Sequence, residues 1–408
     1  MHPERVPTEK GTTVTTPAIT TDKSSQLGPV TAAFAVVLTL VLLASAYGGQ
    51  TQAFAVLIGV LAGFSLYHAS FGFTAAWRRV FAERRGVGLR YQFLLIILTC
   101  AVSFPLIYYT SARGFVLPVG MGMLFGSFLF GVGMQFGGGC GSGTLFVAGG
   151  GSTRMLITLA FFIIGSLIGT AHVGWWHSIA FPQWVQEGFG IGDRVSYGMV
   201  REMGPLTAFG VMAAILGAVA YFTVWLERRT HGELEEPRKT ASLLRGPWSP
   251  REGAVALALV GILCLLVIGQ PWGITFAFAL WGAKIGTLLG MDIASWPYWS
   301  VGWRANLLDS SVFAHSVSVM NFGIMAGALA AAGFAARFVP VWHLSRIDIG
   351  TAVFGGLLMG YGARLAYGCN IGAYLGGLVS GSLHGWAWAV MAFIGSCLAV
   401  VVRRRLGI

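Results

Sequence analysis

Two stretches of this chain, GVGMQFGGGCGSG from Gly131 to Gly143 and GYGARLAYGCNIG from Gly360 to Gly372, are copies of one element. Laid over each other they keep a constant offset of 369 − 140 = 229 residues. Gly131 falls on Gly360, Gly133 on Gly362, Gly139 on Gly368, Cys140 on Cys369 and Gly143 on Gly372. Upstream, Phe125, Gly126 and Leu129 fall on Phe354, Gly355 and Leu358. A repeat centred on Gly-Cys predicts two equivalent halves, each with a helix interrupted by glycines.

The surrounding chain belongs in a bilayer. Of its 408 residues 55% are hydrophobic and 10% charged, and the mean hydropathy of +0.73 lies outside the balance of soluble domains. Apolar runs such as Val30 to Tyr47, Phe93 to Tyr109, Leu156 to Ile179, Leu206 to Leu226, Val317 to Phe334 and Trp386 to Val402 approach the roughly 20 residues a spanning helix needs. The 59 glycines allow close helix contact and broken helices. The expected fold is an all-α integral membrane protein, a polytopic bundle with two inverted repeats and glycine-broken re-entrant or half helices. Its expected organisation is a disordered cytoplasmic tail at 1–29, a membrane half at 30–226, a cytoplasmic linker at 227–251 and a second membrane half at 252–408. No cleavable signal is evident, so the first span is expected to direct its own insertion.

The net charge of +11 does not point to nucleic acid, because Lys and Arg sit in short connectors rather than on one helical face. Arg78 to Arg90, Arg228 to Arg251, Arg337, Arg346 and Arg403 to Arg405 mark connectors expected in the cytoplasm, with both termini. The run from Phe115 to Phe136 then enters from outside and the run from Ile349 to Tyr367 from inside, so the repeat is inverted. The crossings between Arg251 and Arg337 are even in number only if Ile274 to Leu289, which carries Lys284, is a partial or re-entrant helix.

In both copies a helix ends at Gly-Cys, passes a glycine-rich break and restarts. Breaks release backbone N–H groups that need a partner in hydrocarbon, and a helix N-terminus facing a cavity attracts anions. Gly139, Cys140 and Gly141 in one copy, and Gly368, Cys369 and Asn370 in the other, are therefore candidate binding residues. Each cysteine alone also reads as a small packing residue. A neutral thiol offers a weak S–H donor and a polarizable sulfur, suited to holding a sulfur anion loosely enough to release it. Arg364 and its repeat partner Gln135 complete the candidate set. Arg364 reads either as an anion attractor or as the partner of Asp348 or of carbonyls. Lys284 has the same two readings, with snorkelling to an interface as the stronger alternative, and Ser142 and Thr144 read as donors or helix caps. Cys100, Cys264 and Cys397 read as packing residues. Trp175, Trp176, Trp296, Trp299 and Trp303 read as an interfacial belt. No CxxC or His-paired spacing suggests a disulfide framework, metal or cofactor. An enzyme transferring sulfane sulfur, the competing class, would need a base beside a reactive thiolate, and neither Cys140 nor Cys369 has one nearby in sequence.

The segments GARLAYGCNIGAYLGGLVSGSLHGW, GGGCGSGTL and FGFTAAWRR together resemble the YeeE/YedE family of bacterial sulfur-compound transporters, and FALWGAKIG resembles its YedE-type branch. The resemblance implies an inner-membrane importer of thiosulfate in which cysteines near the membrane centre contact the ion through S–H. It also implies a cytoplasmic sulfur carrier of TusA-like or rhodanese type as partner. One departure stands out: the family often has a cysteine between the two phenylalanines where this chain has Gly72. Selenium anions are a variant cargo that the YedE-type branch implies.

Overall fold

The computed structural model describes residues 26–408, so most of the expected tail at 1–29 lies outside the described residues. The chain is helical, with two isolated β-bridges among the described residues. The first half contains α1 (Leu27–Gly48), α2 (Gln50–Ala69), α3 (Phe73–Glu83), α4 (Val87–Tyr109), α5 (Met121–Gly137), α6 (Gly141–Gly149) and α7 (Thr153–Ser178). Two short helices, α8 (Gln183–Phe189) and α9 (Met199–Met203), lead to α10 (Pro205–His231). The second half contains α11 (Pro250–Leu263), which continues as a π-helical turn to Ile268, then α12 (Thr275–Leu288), α13 (Trp303–Asp309), α14 (Ser316–Phe334) and α15 (Arg346–Leu365). A π-helical segment, Asn370–Leu375, runs into α16 (Gly376–Leu378), and α17 (Leu383–Leu406) ends the chain. Among the described residues ten stretches are long and apolar enough to cross a bilayer, and the broken pairs α5–α6 and α15–α16 each count as one of them. Helix α12, with 14 residues, does not, in line with its expected re-entrant character.

The two halves meet along α5 and α15, and the contact shows the inversion directly. A Cβ built on Gly126 would lie 2.8 Å from the Gly362 carbonyl oxygen, and one on Gly133 would lie 2.9 Å from that of Gly355. Because Gly126 is equivalent to Gly355 and Gly133 to Gly362, a two-fold axis exchanges these contacts, and the helices run antiparallel. Only glycine lets backbones approach this closely, the usual device of membrane helix packing. The flanking helices repeat the relation, with Gly165 of α7 backed onto Leu357 and Gly395 of α17 onto Phe128. Here the offset has become 395 − 165 = 230. The extra residue enters between Gly372 and Leu383, an interval that overlaps the π-helical segment of the second copy, where the first has the α-helix α6.

The connector after α10 is folded against the bundle. Glu227 has a fully buried side chain that accepts from Arg85, Arg90 and the Gly86 and Glu235 backbone N–H groups. Arginines 79, 85, 90, 154, 238, 403 and 404 gather with it at one end of the bundle, called the basic end below. Trp175 and Trp303 are exposed as a belt requires, but Trp299 is completely buried and donates to Thr170 Oγ1 at 3.1 Å. It is a core residue under the 289–315 loop, a correction to its interfacial reading.

Candidate functional site

The two breaks share one backbone conformation. Gly138 turns out of α5 at φ 82° and its equivalent Tyr367 follows α15 at φ 63°, both left-handed. A tyrosine held there is strained, and such strain concentrates at functional sites. Cys140 (φ −88°, ψ −169°) and Cys369 (φ −104°, ψ −167°) then adopt nearly the same extended conformation as N-caps of the restarting helices. Their carbonyls accept from Thr144 N at 2.8 Å and Ala373 N at 2.9 Å, again equivalent residues. Gly139 and Gly368 make room for the turn, each facing the first turn of the helix its cysteine caps.

The inverted packing brings the breaks together. A Cβ on Gly141 would lie 2.9 Å from Cys369 Sγ, so the second thiol rests on the first residue of α6. The Cys140 thiol lies 3.4 Å from Ser142 Oγ and within 3.5 Å of a Cβ built on Gly143. Both sulfurs therefore border the first turn of α6. Cys140 and Cys369 are 2% and 0% exposed. Asn370, also fully buried, has neither its amide nitrogen nor its amide oxygen hydrogen-bonded. A buried amide left unpaired costs about 1–3 kcal/mol, which a bound polar group would recover.

A third element reaches the same place, and sequence reasoning missed its position. After α11 the chain turns inward and sets Thr275, the first residue of α12, 3.4 Å from the Cβ position of Gly141, while Gly273 lies 4.0 Å from that of Gly372. Asn321 of α14 holds this turn by donating to the Ile274 carbonyl at 3.0 Å. The signal was present in GQPWGIT (Gly269 to Thr275), where proline and two glycines stop one helix just before another starts. Three helical N-termini thus converge: α6, Asn370–Leu378 and α12. None carries a side-chain cap. Their free N–H groups and dipoles make the region positive without a cation.

Arg364 and Gln135 stand back from this centre. The Arg364 Nη1 donates to Tyr298 Oη at 3.0 Å and the guanidinium lies over the Phe276 ring at 5.7 Å, while its buried Nε has no partner. The reading of Arg364 as a partner of Asp348 fails, because Asp348 caps the far end of α15 and faces Arg154 at 3.8 Å. Gln135 donates to the Thr74 carbonyl and to Ser396 Oγ, tying α5 to α3 and α17. Lys284 donates to the carbonyls of Leu308 and Ser310 at 2.6 Å, so it fastens the 289–315 loop rather than snorkelling. Cys100 and Cys264 pack against Leu378 and Met320.

The model of the family described as "Sulphur transport" matches residues 68–398, which contain both breaks and the re-entrant turn. The chain belongs to this family. Within it, the chain is 27% identical over 370 residues to the thiosulfate transporter TsuA of Spirochaeta thermophila, covering 86% of this chain and 98% of that one. It is 25% identical over 358 residues to TsuA of Escherichia coli, covering 82% and 89%. The probable transporter YedE of Escherichia coli is 32% identical over a shorter stretch of 149 residues, and the chain spans only 36% of that relative's length.

Proposed function

We propose that this protein is a bacterial inner-membrane transporter for a small sulfur anion, thiosulfate first, that passes between Cys140 and Cys369. One observation carries the reading: the two repeat-related thiols border the first turn of α6, where three uncapped N-termini and the unpartnered Asn370 amide face the same place. The names of the TsuA relatives support the cargo.

The chemistry follows from what the site contains. The oxygens of the anion meet backbone N–H groups and the Asn370 amide, while its terminal sulfur meets the two thiols. S–H donors are weak, so neither cysteine traps the ion, and two of them allow it to be handed on. A thiolate would repel an anion, so both thiols act in the neutral form. Among the described residues Arg364 stands back from the centre, and there the fixed dipoles attract charge without forming a permanent ion pair. Arg364, at the end of α15 away from the basic end, draws the anion toward the centre from that side, and Gln135 holds α5 against α3. The basic end faces the cytoplasm by the positive-inside rule, which places both termini, and the linker at 227–251, on that side. A cytoplasmic sulfur carrier of TusA-like type is the partner proposed to receive the cargo there.

The test is uptake of labelled thiosulfate by proteoliposomes, with sulfite, sulfate and selenium oxyanions as competitors. Cys140→Ala and Cys369→Ala are expected to abolish uptake while leaving the elution profile and melting of the protein unchanged. Undiminished uptake in either variant refutes the thiol path. A persulfide on either cysteine during turnover would instead favour sulfur-transfer chemistry.

A further inference from the structure

At the basic end a cavity of about 240 Å³ opens beside α3, walled by Gly72, Arg79, Tyr91, Gln92, Glu236 and Arg238 among others. Helix α3 joins this cavity to the breaks. Gly72 and Arg79 face the cavity, whereas the rings of Phe73 and Trp77 pack on Tyr374, 6.2 and 5.7 Å between centroids, five residues beyond Cys369. Thr74, at the second position of α3, has a buried hydroxyl without a partner. Helix α3 thus stands between the breaks and the cavity, with one face on Tyr374 and the other on the cavity.

The chain crosses this cavity with its own strap, residues 233–238, anchored on both sides. Upstream, the Glu235 N–H donates to the buried Glu227 carboxylate at 2.8 Å, and Arg85 donates to the Glu233 carbonyl at 3.3 Å. Downstream, Arg238 donates to the carbonyls of Trp248, at 2.6 and 3.0 Å, and of His68, at 3.1 Å. Between the anchors the Glu235 carboxylate takes the Arg79 guanidinium in a two-pronged pair, 3.1 and 2.8 Å. Arg79 also holds Glu83 through Nε at 2.8 Å.

We propose that Arg79 is an exit site for a small sulfur–oxygen dianion and that Glu235 occupies it at rest as a built-in competing anion. This rests on the transport reading above. The two forward N–H groups of a guanidinium present the same fork to a carboxylate and to two oxygens of a tetrahedral oxoanion, so one ligand replaces the other without rearranging Arg79. The pair is about one-third exposed on both sides, 33% and 31%, which keeps it weak enough to exchange. The anchors at Glu227 and Arg238 hold the main chain of the strap, through the Glu235 N–H on one side, so only the Glu235 side chain has to swing away. Release into the cytoplasm then waits on the Glu235 carboxylate leaving Arg79, and the strap sets the rate.

The test uses the full-length protein in proteoliposomes and labelled thiosulfate. Glu235→Gln is expected to raise the initial uptake rate severalfold, Arg79→Gln to lower it severalfold, and Glu235→Gln to give no gain when combined with Arg79→Gln. The strap is refuted if Glu235→Gln leaves the rate unchanged, or raises it by the same factor in the Arg79→Gln background. Wild-type protein that carries no thiosulfate refutes the transport reading and the exit site with it. Wild-type uptake that Cys140→Ala abolishes and Glu235→Gln leaves unchanged refutes the strap alone.

Discussion

Replacing Gly141 by alanine sets one methyl group against the Cys369 sulfur, and the consequence follows from the geometry. The new Cβ would stand 2.9 Å from Cys369 Sγ, 3.3 Å from Cys369 Cβ and 3.4 Å from Thr275 Cγ2. Apolar atoms settle at about 3.5–4.0 Å, so the thiol has to retreat by roughly 0.6–1 Å. Overpacking of this kind costs about 1–3 kcal/mol, and alanine recovers up to about 1 kcal/mol over glycine in a helix. Gly141 has ordinary helical backbone angles, so the fold survives. The anion, however, loses its contact with the displaced thiol, and the methyl covers the first turn of α6. Forfeiting one hydrogen bond to a charged group is worth about 1.5–3 kcal/mol, or roughly 10- to 100-fold. Uptake of labelled thiosulfate by Gly141→Ala is therefore expected to fall at least tenfold while the melting temperature moves by a few degrees. Gly143→Ala, whose Cβ would meet Cys140 Sγ at an ordinary 3.5 Å, is expected to lose far less. Wild-type uptake by Gly141→Ala would refute the idea that Cys369 and the first turn of α6 share the ion.

Gly355→Ala is expected to destabilise the protein by about 1–3 kcal/mol or more, because its Cβ would lie 2.8 Å from the Gly133 carbonyl oxygen and closer still to the Gly137 backbone, which cannot rotate away. The check is thermal melting in detergent, against Gly350→Ala, where nothing lies within 4 Å of the added carbon. Arg364→Gln is expected to raise the half-saturating thiosulfate concentration about tenfold with a smaller effect on the maximal rate, as loss of one charge-assisted contact predicts. An unchanged half-saturating concentration would reduce Arg364 to a prop for Tyr298.

The repeat was legible because its constraints are local. A helix that must approach another backbone needs glycine at fixed places, so Gly126, Gly133, Gly355 and Gly362 survive in register and reveal both the duplication and the cysteines at its breaks. The charges of the connectors were legible for the same reason. What a buried side chain meets was not. Arg364 lies in an apolar run in which Tyr298, 66 residues away, could not be read as its partner. Thr275 reaches Gly141 only because α11 ends in a turn that folds inward. Periodicity also fails here for a physical reason, since lipid and protein interior are equally apolar and a spanning helix shows no polar face. Leu206 of α10 is 84% exposed and Leu257 of α11 is fully buried, yet both sit in similarly apolar runs.

The symmetry of the backbone ends at its side chains, and the difference has a direction. Equivalent positions hold Gln135 and Arg364, Gly138 and Tyr367, Ser142 and Ile371, Thr144 and Ala373. The half of the site approached through α15 therefore has a cation and a strained tyrosine, while the half approached through α5 has neutral hydrogen-bonding groups. A strictly symmetric pair of breaks would offer an ion the same welcome from either side. Here the Arg364 cation lies toward the end away from the arginine-rich connectors, the centre has dipoles, thiols and the Asn370 amide, and on the other side Arg79 is already held by Glu235. On the proposed route affinity is therefore graded along the axis by side chains, on a backbone whose two cysteines keep nearly the same conformation.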